Sequence, residues 1–228
     1  MADKNTPGMS ASTSRAPGAH AERDGHTEQR ILEAARRVFI RRGTAGARMQ
    51  EIAAEAGVNQ ALVHYYFRSK DRLAATVFKE AASRLIPAVM QLFGSDATLE
   101  EKVERFVHLY LDTVRQSPFL PAYIVAELHQ QPERLTALID SAGASPRLVA
   151  GEVLERLGAQ LREAAADGTI RPIAPEQFFV SLLGLSVMPF LLRPLLHTVL
   201  GMDDEAFGRF LDERRAELPG LILRGLRP

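Results

Sequence analysis

The sequence predicts an all-α fold, and three observations carry that prediction. Apolar residues recur at helical spacing along most of the chain. No Asn-Gly or Asp-Gly pair flanked by strand-like alternation marks a hairpin, and sustained period-2 patterning is absent. Prolines and glycines punctuate helices where each is tolerated: Pro121, Pro132, Pro146 and Pro175 near starts, Gly43, Gly168 and Gly201 near ends. With 228 residues, 46% hydrophobic and 25% charged, the composition is that of a globular chain. Such a length buries a core without disulfides or metal staples.

The elements follow in order. Residues 1–26 are rich in Ala, Ser, Gly and Pro with balanced charge and read as a disordered arm. A first helix is expected from Thr27 to Arg42, with Ile31, Ala35, Val38 and Phe39 on one face. Thr27 is its expected cap, and Gly43 sits where a left-handed residue is wanted. A second helix spans Arg48 to Ala56 and carries Met49, Ile52, Ala53 and Ala56 inward. Gly57-Val58 then breaks the chain. A short third helix follows from Asn59, a good N-cap, to Tyr66, with Val63 and either Tyr66 or Phe67 facing inward. Ser69 caps a fourth, long helix from Lys70 to Phe93. The remainder reads as helices over Leu99–Gln116, Pro121–Gln131, Pro132–Ser141, Pro146–Asp167, Pro175–Leu200 and Asp203–Arg224.

Several function classes are excluded by what the sequence lacks. It has no cysteine, so disulfides, thiol nucleophiles and thiolate zinc sites are absent. The first residues hold no apolar run of the signal-peptide kind, and the expectation is a cytoplasmic protein. The longest uncharged stretch, Gln177 to Leu192, is shorter than the ~20 residues of a membrane span and contains Pro189. His20, His26, His108, His129 and His197 show no metal-ligand spacing. No G-x-G-x-x-G, P-loop or G-x-S-x-G occurs, so no enzyme, metal or cofactor is expected.

Three short helices with a tight Gly-Val turn between the second and third form a helix-turn-helix pattern. Ala53 and Ala56 are small enough for close helix approach, and Gly57 permits positive φ. The third helix is about 12 Å long at 1.5 Å per residue, which suits the ~12 Å major groove. Its outer face offers Gln60, Ala61, Leu62, His64 and Tyr65. Gln pairs with adenine, and a small apolar side chain touches a thymine methyl. Arg36, Arg37, Arg41 and Arg42 read most simply as solvated helix charges.

Residues Ile52 to Leu73, IAAEAGVNQALVHYYFRSKDRL, resemble the DNA-binding segment of the TetR family of bacterial regulators. The upstream TEQRILEAARRVFIRRG, Thr27 to Gly43, fits the same family's first helix. The ordered set Ile52-Ala53, Ala56-Gly57-Val58, His64-x-Tyr66-Phe67, Ser69-Lys70 and Leu73 carries the likeness over about a fifth of the chain. The resemblance implies that Asn59 caps the recognition helix and that Gln60, Ala61 and Leu62 lie where bases or phosphates are touched. His64, Tyr65 and Tyr66 occupy positions that reach phosphates or pack the domain, and Lys70 matches a phosphate-contacting lysine. Arg48 stands where a capping Thr or Ser is usual. It offers charge to phosphate but no equivalent cap.

The resemblance also implies two domains after the arm: 27–73 for DNA and 74–228 for a small effector and a second subunit. The residues expected at an effector site are Phe106, His108, Tyr110, Tyr123, Glu127 and His129, with Phe78, Met90 and Phe93 as further candidates. Phe179, Leu183, Val187, Phe207 and Leu211 are the expected dimer contacts, because the penultimate helix is apolar nearly all round. The expected protein is a homodimeric, ligand-responsive regulator of a palindromic operator, in most relatives a repressor, with no membrane partner. A regulator controlled by a protein partner and a carrier or catalytic bundle are the alternatives. Charge distribution agrees with the first. Thr27–Leu73 holds nine Lys+Arg against five Asp+Glu, whereas Ala74–Pro228 holds 16 against 20, so a basic unit is joined to an acidic one.

Overall fold

Local capping and apolar spacing account for most boundaries in the computed structural model, which describes residues 18–130, 133 and 146–228. Ten helices and no strand occur among these residues. They are α1 (Gly18–Gly46), α2 (Met49–Ala56), α3 (Gln60–Phe67), α4 (Lys70–Gly94) and α5 (Leu99–Arg115). There follow α6 (Leu120–Gln130), α7 (Pro146–Ala166), α8 (Pro175–Leu191), α9 (Arg193–Leu200) and α10 (Asp204–Gly225). The helix expected over 132–141 lies outside the described residues, as do residues 1–17.

The caps expected from sequence form where side-chain oxygens meet free helical N–H groups. Asn59 Oδ1 accepts from Leu62 N at 2.8 Å, and Ser69 Oγ accepts from Arg72 N at 3.2 Å. Thr98 and Glu101 close a reciprocal capping box on α5, and Asp203 accepts from Ala206 N on α10. At the end of α2, Gly57 is left-handed (φ 64, ψ 35) and donates to Ala54 O while Val58 donates to Ala53 O. Arg30 then donates to Ala56 O at 2.7 Å, so a side chain from α1 satisfies one more terminal carbonyl.

Three elements differ from expectation. α1 begins at Gly18, not at Thr27, and Thr27 is interior rather than a cap. The good helix formers Ala19, Ala21, Glu22 and Arg23 follow the last proline of the arm, Pro17, and nothing there stops a helix. Gly43 has positive φ but an extended ψ (φ 66, ψ 169), so it breaks the helix instead of closing it with a left-handed cap. The single helix expected over 175–200 is two, α8 and α9, bent by 55°. Pro194 has no N–H for the Phe190 carbonyl and disfavours helical geometry before it, which an apolar pattern continuous across the site concealed.

Two buried clusters organise the packing. The first joins Ile31, Val38 and Phe39 of α1 to Ile52 of α2, Val63 and Phe67 of α3, and Val77 and Phe78 of α4. It also takes in Phe119, Leu120 and Tyr123 from the α5–α6 corner. The second joins Val89, Leu92 and Phe93 of α4 to α5, α7, α8 and α10. α4 thus belongs to both, with the exposed Pro87 between Ala82 of one cluster and Val89 of the other. In the second cluster Lys102 is buried and its Nζ donates to Gln160, whose amide donates to Ala97 O. Burial pushes the Lys102 ammonium below its ordinary pKa. No single helix among the described residues is long and apolar enough to cross a membrane.

Candidate nucleic-acid interface

α3 is short, and its two faces are sharply different. Val63 and Phe67 are buried, which turns Gln60, Ala61, His64 and Tyr65 outward to solvent. Tyr65 is 74% exposed, an unusual place for an aromatic ring without a partner molecule. Leu62 and Tyr66 are half-buried at the edges, and Tyr66 lies edge-on to Tyr65 with ring centroids 5.3 Å apart. Gln60 Nε2 lies 3.3 Å from His64 Nε2, and His64 Nδ1 lies 3.3 Å from Arg68 O. These contacts on one helical face hold the Gln60 amide and the His64 ring side by side.

Cations surround that face, but fewer are available than the raw charge count suggests. The expected solvated arginines of α1 are paired. Arg37 and Arg41 both bond Glu55, at 2.8 and 2.7 Å, Arg42 reaches Glu51 at 3.5 Å, and Arg36 binds Glu80 at 2.6 Å. Hydrogen bonds from Arg37 and then Arg41 hold the Glu55 carboxyl below its ordinary pKa. These pairs fasten α1 to α2 and α4. Arg48, Arg68 and Arg72 are exposed and have no ion-pair partner among the described residues. Arg48 precedes α2 and makes no side-chain cap, as its chemistry implied. Lys70 Nζ donates to Ala45 O at 2.9 Å and so ties the start of α4 to the α1–α2 turn.

Arg68 is a functional candidate that the sequence did not single out. Its φ of 59° and ψ of −38° are rare for a residue with a side chain, and Ser69 N donates to Phe67 O across it at 2.6 Å. This tight turn reverses the chain between α3 and α4 and leaves the guanidinium exposed beside the helix face. No local sequence rule marks an arginine for positive φ.

A second site lies between α4, α5 and α6. A cavity of about 140 Å³ is lined by Phe78, Ala81, Ala82, Leu85 and Ile86 of α4, Tyr110, Thr113 and Val114 of α5, and Leu120, Pro121 and Ile124 of α6. Burial pushes the Tyr110 phenol above its ordinary pKa, so it stays a neutral hydroxyl. Of the residues expected at an effector site, Tyr110 lines this cavity, and so does the further candidate Phe78. Phe106 does not. It is fully buried between Phe93, Tyr110 and Phe179 in the second cluster. Tyr123 is buried in the first cluster against Phe78. His108 is half-buried and away from the lining, and His129 is exposed with its Nδ1 on Val125 O of its own helix. Met90 and Phe93 pack in the second cluster, and the Glu127 side chain lies outside the described residues. A signal for the missed wall was present: Phe78, Ala82 and Leu85 share one stripe of α4, with small Ala81 and Ala82 leaving room.

The expected dimer contacts divide. Phe207 and Leu211 are buried inside the protomer, because Phe207 packs on Phe190 and both join the second cluster. They offer no surface to a second subunit. Phe179, Leu183 and Val187 are half-buried against the same cluster. The exposed apolar residues of the last three helices are instead Val180, Leu185, Met188, Leu192, Leu195, Val199, Leu200 and Leu221, on α8, α9 and α10 and the α8–α9 junction.

Residues 31–77 match the family described as "Bacterial regulatory proteins, tetR family", a stretch that includes α2, α3 and the start of α4. The chain is 30% identical over 117 residues to the HTH-type transcriptional repressor NicS of Pseudomonas putida, covering 51% of this chain and 55% of that protein. The match therefore spans about half of that relative's length. Against the HTH-type transcriptional regulator RutR of Escherichia coli it is 26% identical over 208 residues, 87% of this chain and 89% of that one. A transcriptional regulator of the TetR/AcrR family from Thermobifida fusca superposes with a TM-score of 0.58 at 16% identity, covering 88% and 98% of the two chains. The transcriptional regulator FadR of Bacillus subtilis, solved with stearoyl-CoA, gives 0.57 at 19% identity, covering 87% and 99%. At these identities the likeness concerns the fold.

Proposed function

We propose, for a chain that belongs to the TetR family of bacterial transcriptional regulators, the role of a homodimeric, cytoplasmic repressor that leaves its operator when a small, largely apolar effector binds. The observation that carries this reading is α3. Its capped start, its buried Val63 and Phe67 and its exposed Gln60, Ala61, His64 and Tyr65 form a rigid reading face. Arg48, Arg68 and Arg72 supply free charge around it, Asn59 caps its start, and Lys70 ties the helix that follows it to the α1–α2 turn. Tyr66 contributes its outer edge and Leu62 an apolar surface for a thymine methyl.

The cavity supports effector control, since it borders the same α4 whose first residue, Lys70, bonds Ala45 O in the α1–α2 turn. An effector that favours one position of α4 over another weakens operator binding, and the operator weakens effector binding by the same factor. The exposed apolar stripe on α8 and α9 supports a symmetric dimer, which presents two copies of α3 to a palindrome. Repression is the stated role of the relative NicS.

Fluorescence anisotropy with DNA from upstream of the protein's own gene tests the reading. Specific binding whose affinity falls with salt is expected. Gln60→Ala should relax base preference at a single position, at a cost of about 1–3 kcal/mol. Lys70→Ala should weaken all sequences alike and flatten the salt dependence. Absence of specific, salt-sensitive binding would overturn the proposal.

A further inference from the structure

The apolar cavity between α4, α5 and α6 is open on one side. Ala81 and Thr113 line it, and the same two residues line a neighbouring hollow of about 190 Å³ whose other walls are Arg36, Arg84, Gln116 and Ser117. The two spaces therefore share a wall and differ in chemistry. The first offers almost only carbon. The second offers two guanidinium groups and an amide. Arg36 is held by Glu80, which leaves Arg84 exposed and without an ion-pair partner among the described residues. An uncompensated positive charge thus lines a hollow next to the apolar cavity, the two meeting at Ala81 and Thr113.

The geometry points to a bipartite site for an amphiphilic carboxylate, its apolar part between Phe78, Ile86 and Ile124 and its carboxylate between Arg84, Arg36 and the Gln116 amide. This rests on the reading of the cavity as the effector site and adds the chemical class. An arginine fork matches a carboxylate with two parallel hydrogen bonds. A cavity of about 150 Å³ accommodates a benzene ring, so the apolar part is a ring or about six carbons of chain. The charge also has a mechanical address. Arg36 lies on α1 and Glu80 on α4, and their 2.6 Å pair joins the DNA-reading helices to the helix that walls the cavity. A carboxylate in the neighbouring hollow competes with Glu80 for Arg36, and so acts on that join directly.

Isothermal titration of the full chain tests this with hexanoate, octanoate and 3-phenylpropanoate, each against the alcohol of the same carbon skeleton. The carboxylates are expected to bind at least tenfold more tightly than the alcohols. Arg84→Gln, on the surface, should abolish that preference and leave alcohol affinity within about twofold. Glu80→Gln, which removes the competitor for Arg36, should tighten carboxylate binding and leave alcohols unchanged. Equal affinity for acid and alcohol, or a preference that survives Arg84→Gln, overturns the charged hollow while the apolar cavity keeps its role. An unchanged carboxylate affinity in Glu80→Gln overturns the competition for Arg36. No binding of either series overturns this proposal and the effector reading together.

Discussion

Arg68 holds the turn between α3 and α4 at a positive φ that costs a residue with a side chain more than it costs glycine. Strain of this kind costs of order 1–3 kcal/mol and persists where the surrounding structure imposes it. Arg68→Gly is therefore expected to raise stability by about 1 kcal/mol, read as a higher urea midpoint, while operator affinity falls through loss of an exposed cation. A midpoint that stays put or drops would refute the strain. The caps show the opposite case. Asn59, Ser69, Thr98 with Glu101 and Asp203 each bond a donor three residues away, so a short window of sequence reveals them. Arg68 has no such window, and the Ala45 carbonyl that anchors Lys70 lies 25 residues upstream, where only the folded chain brings it near.

Helix pairs obey rules that the single helix does not display. The arginines of α1 look solvated on a helical wheel, yet Glu51 and Glu55 of α2 come to meet them. Glu55 has a folded-state pKa below its ordinary 4.5, so its contribution is complete above that value and disappears as pH falls through the depressed one. The melting difference between wild type and Glu55→Gln should accordingly shrink as pH falls below 4.5, and a constant difference would show that the clamp is not ionic. The break at Leu192 teaches the converse. Pro194 was visible, but sixteen uncharged residues before it read as one continuous helix. Apolar pattern records what is buried, whereas direction is set by where a backbone hydrogen bond is missing. The cavity was legible only in part, through Tyr110 and Phe78, for a related reason: Tyr110 and Phe106 share a helix and differ only in which neighbours each one meets.

At the scale of the whole molecule, most of the exposed apolar side chains lie along α8 and α9, with Val180 65%, Met188 45%, Leu195 53% and Val199 66% exposed. This is the surface on which the proposed dimer would close. Met188→Glu should halve the mass measured by light scattering without lowering helix content, whereas Phe207→Ala should act on folding, because Phe207 is core. Retention of the dimer in Met188→Glu would move the interface elsewhere. The same scale changes the meaning of the boundary expected at Leu73. Phe119 stacks 5.4 Å from Phe39, and with Leu120 and Tyr123 it completes the cluster under the DNA-reading helices. On the ribosome, α1 to α4 emerge before that wall exists. The buried cluster under α1 to α4 is complete only when the α5–α6 corner has been made. A nascent chain that ends before Phe119 thus lacks part of the core on which those helices rest.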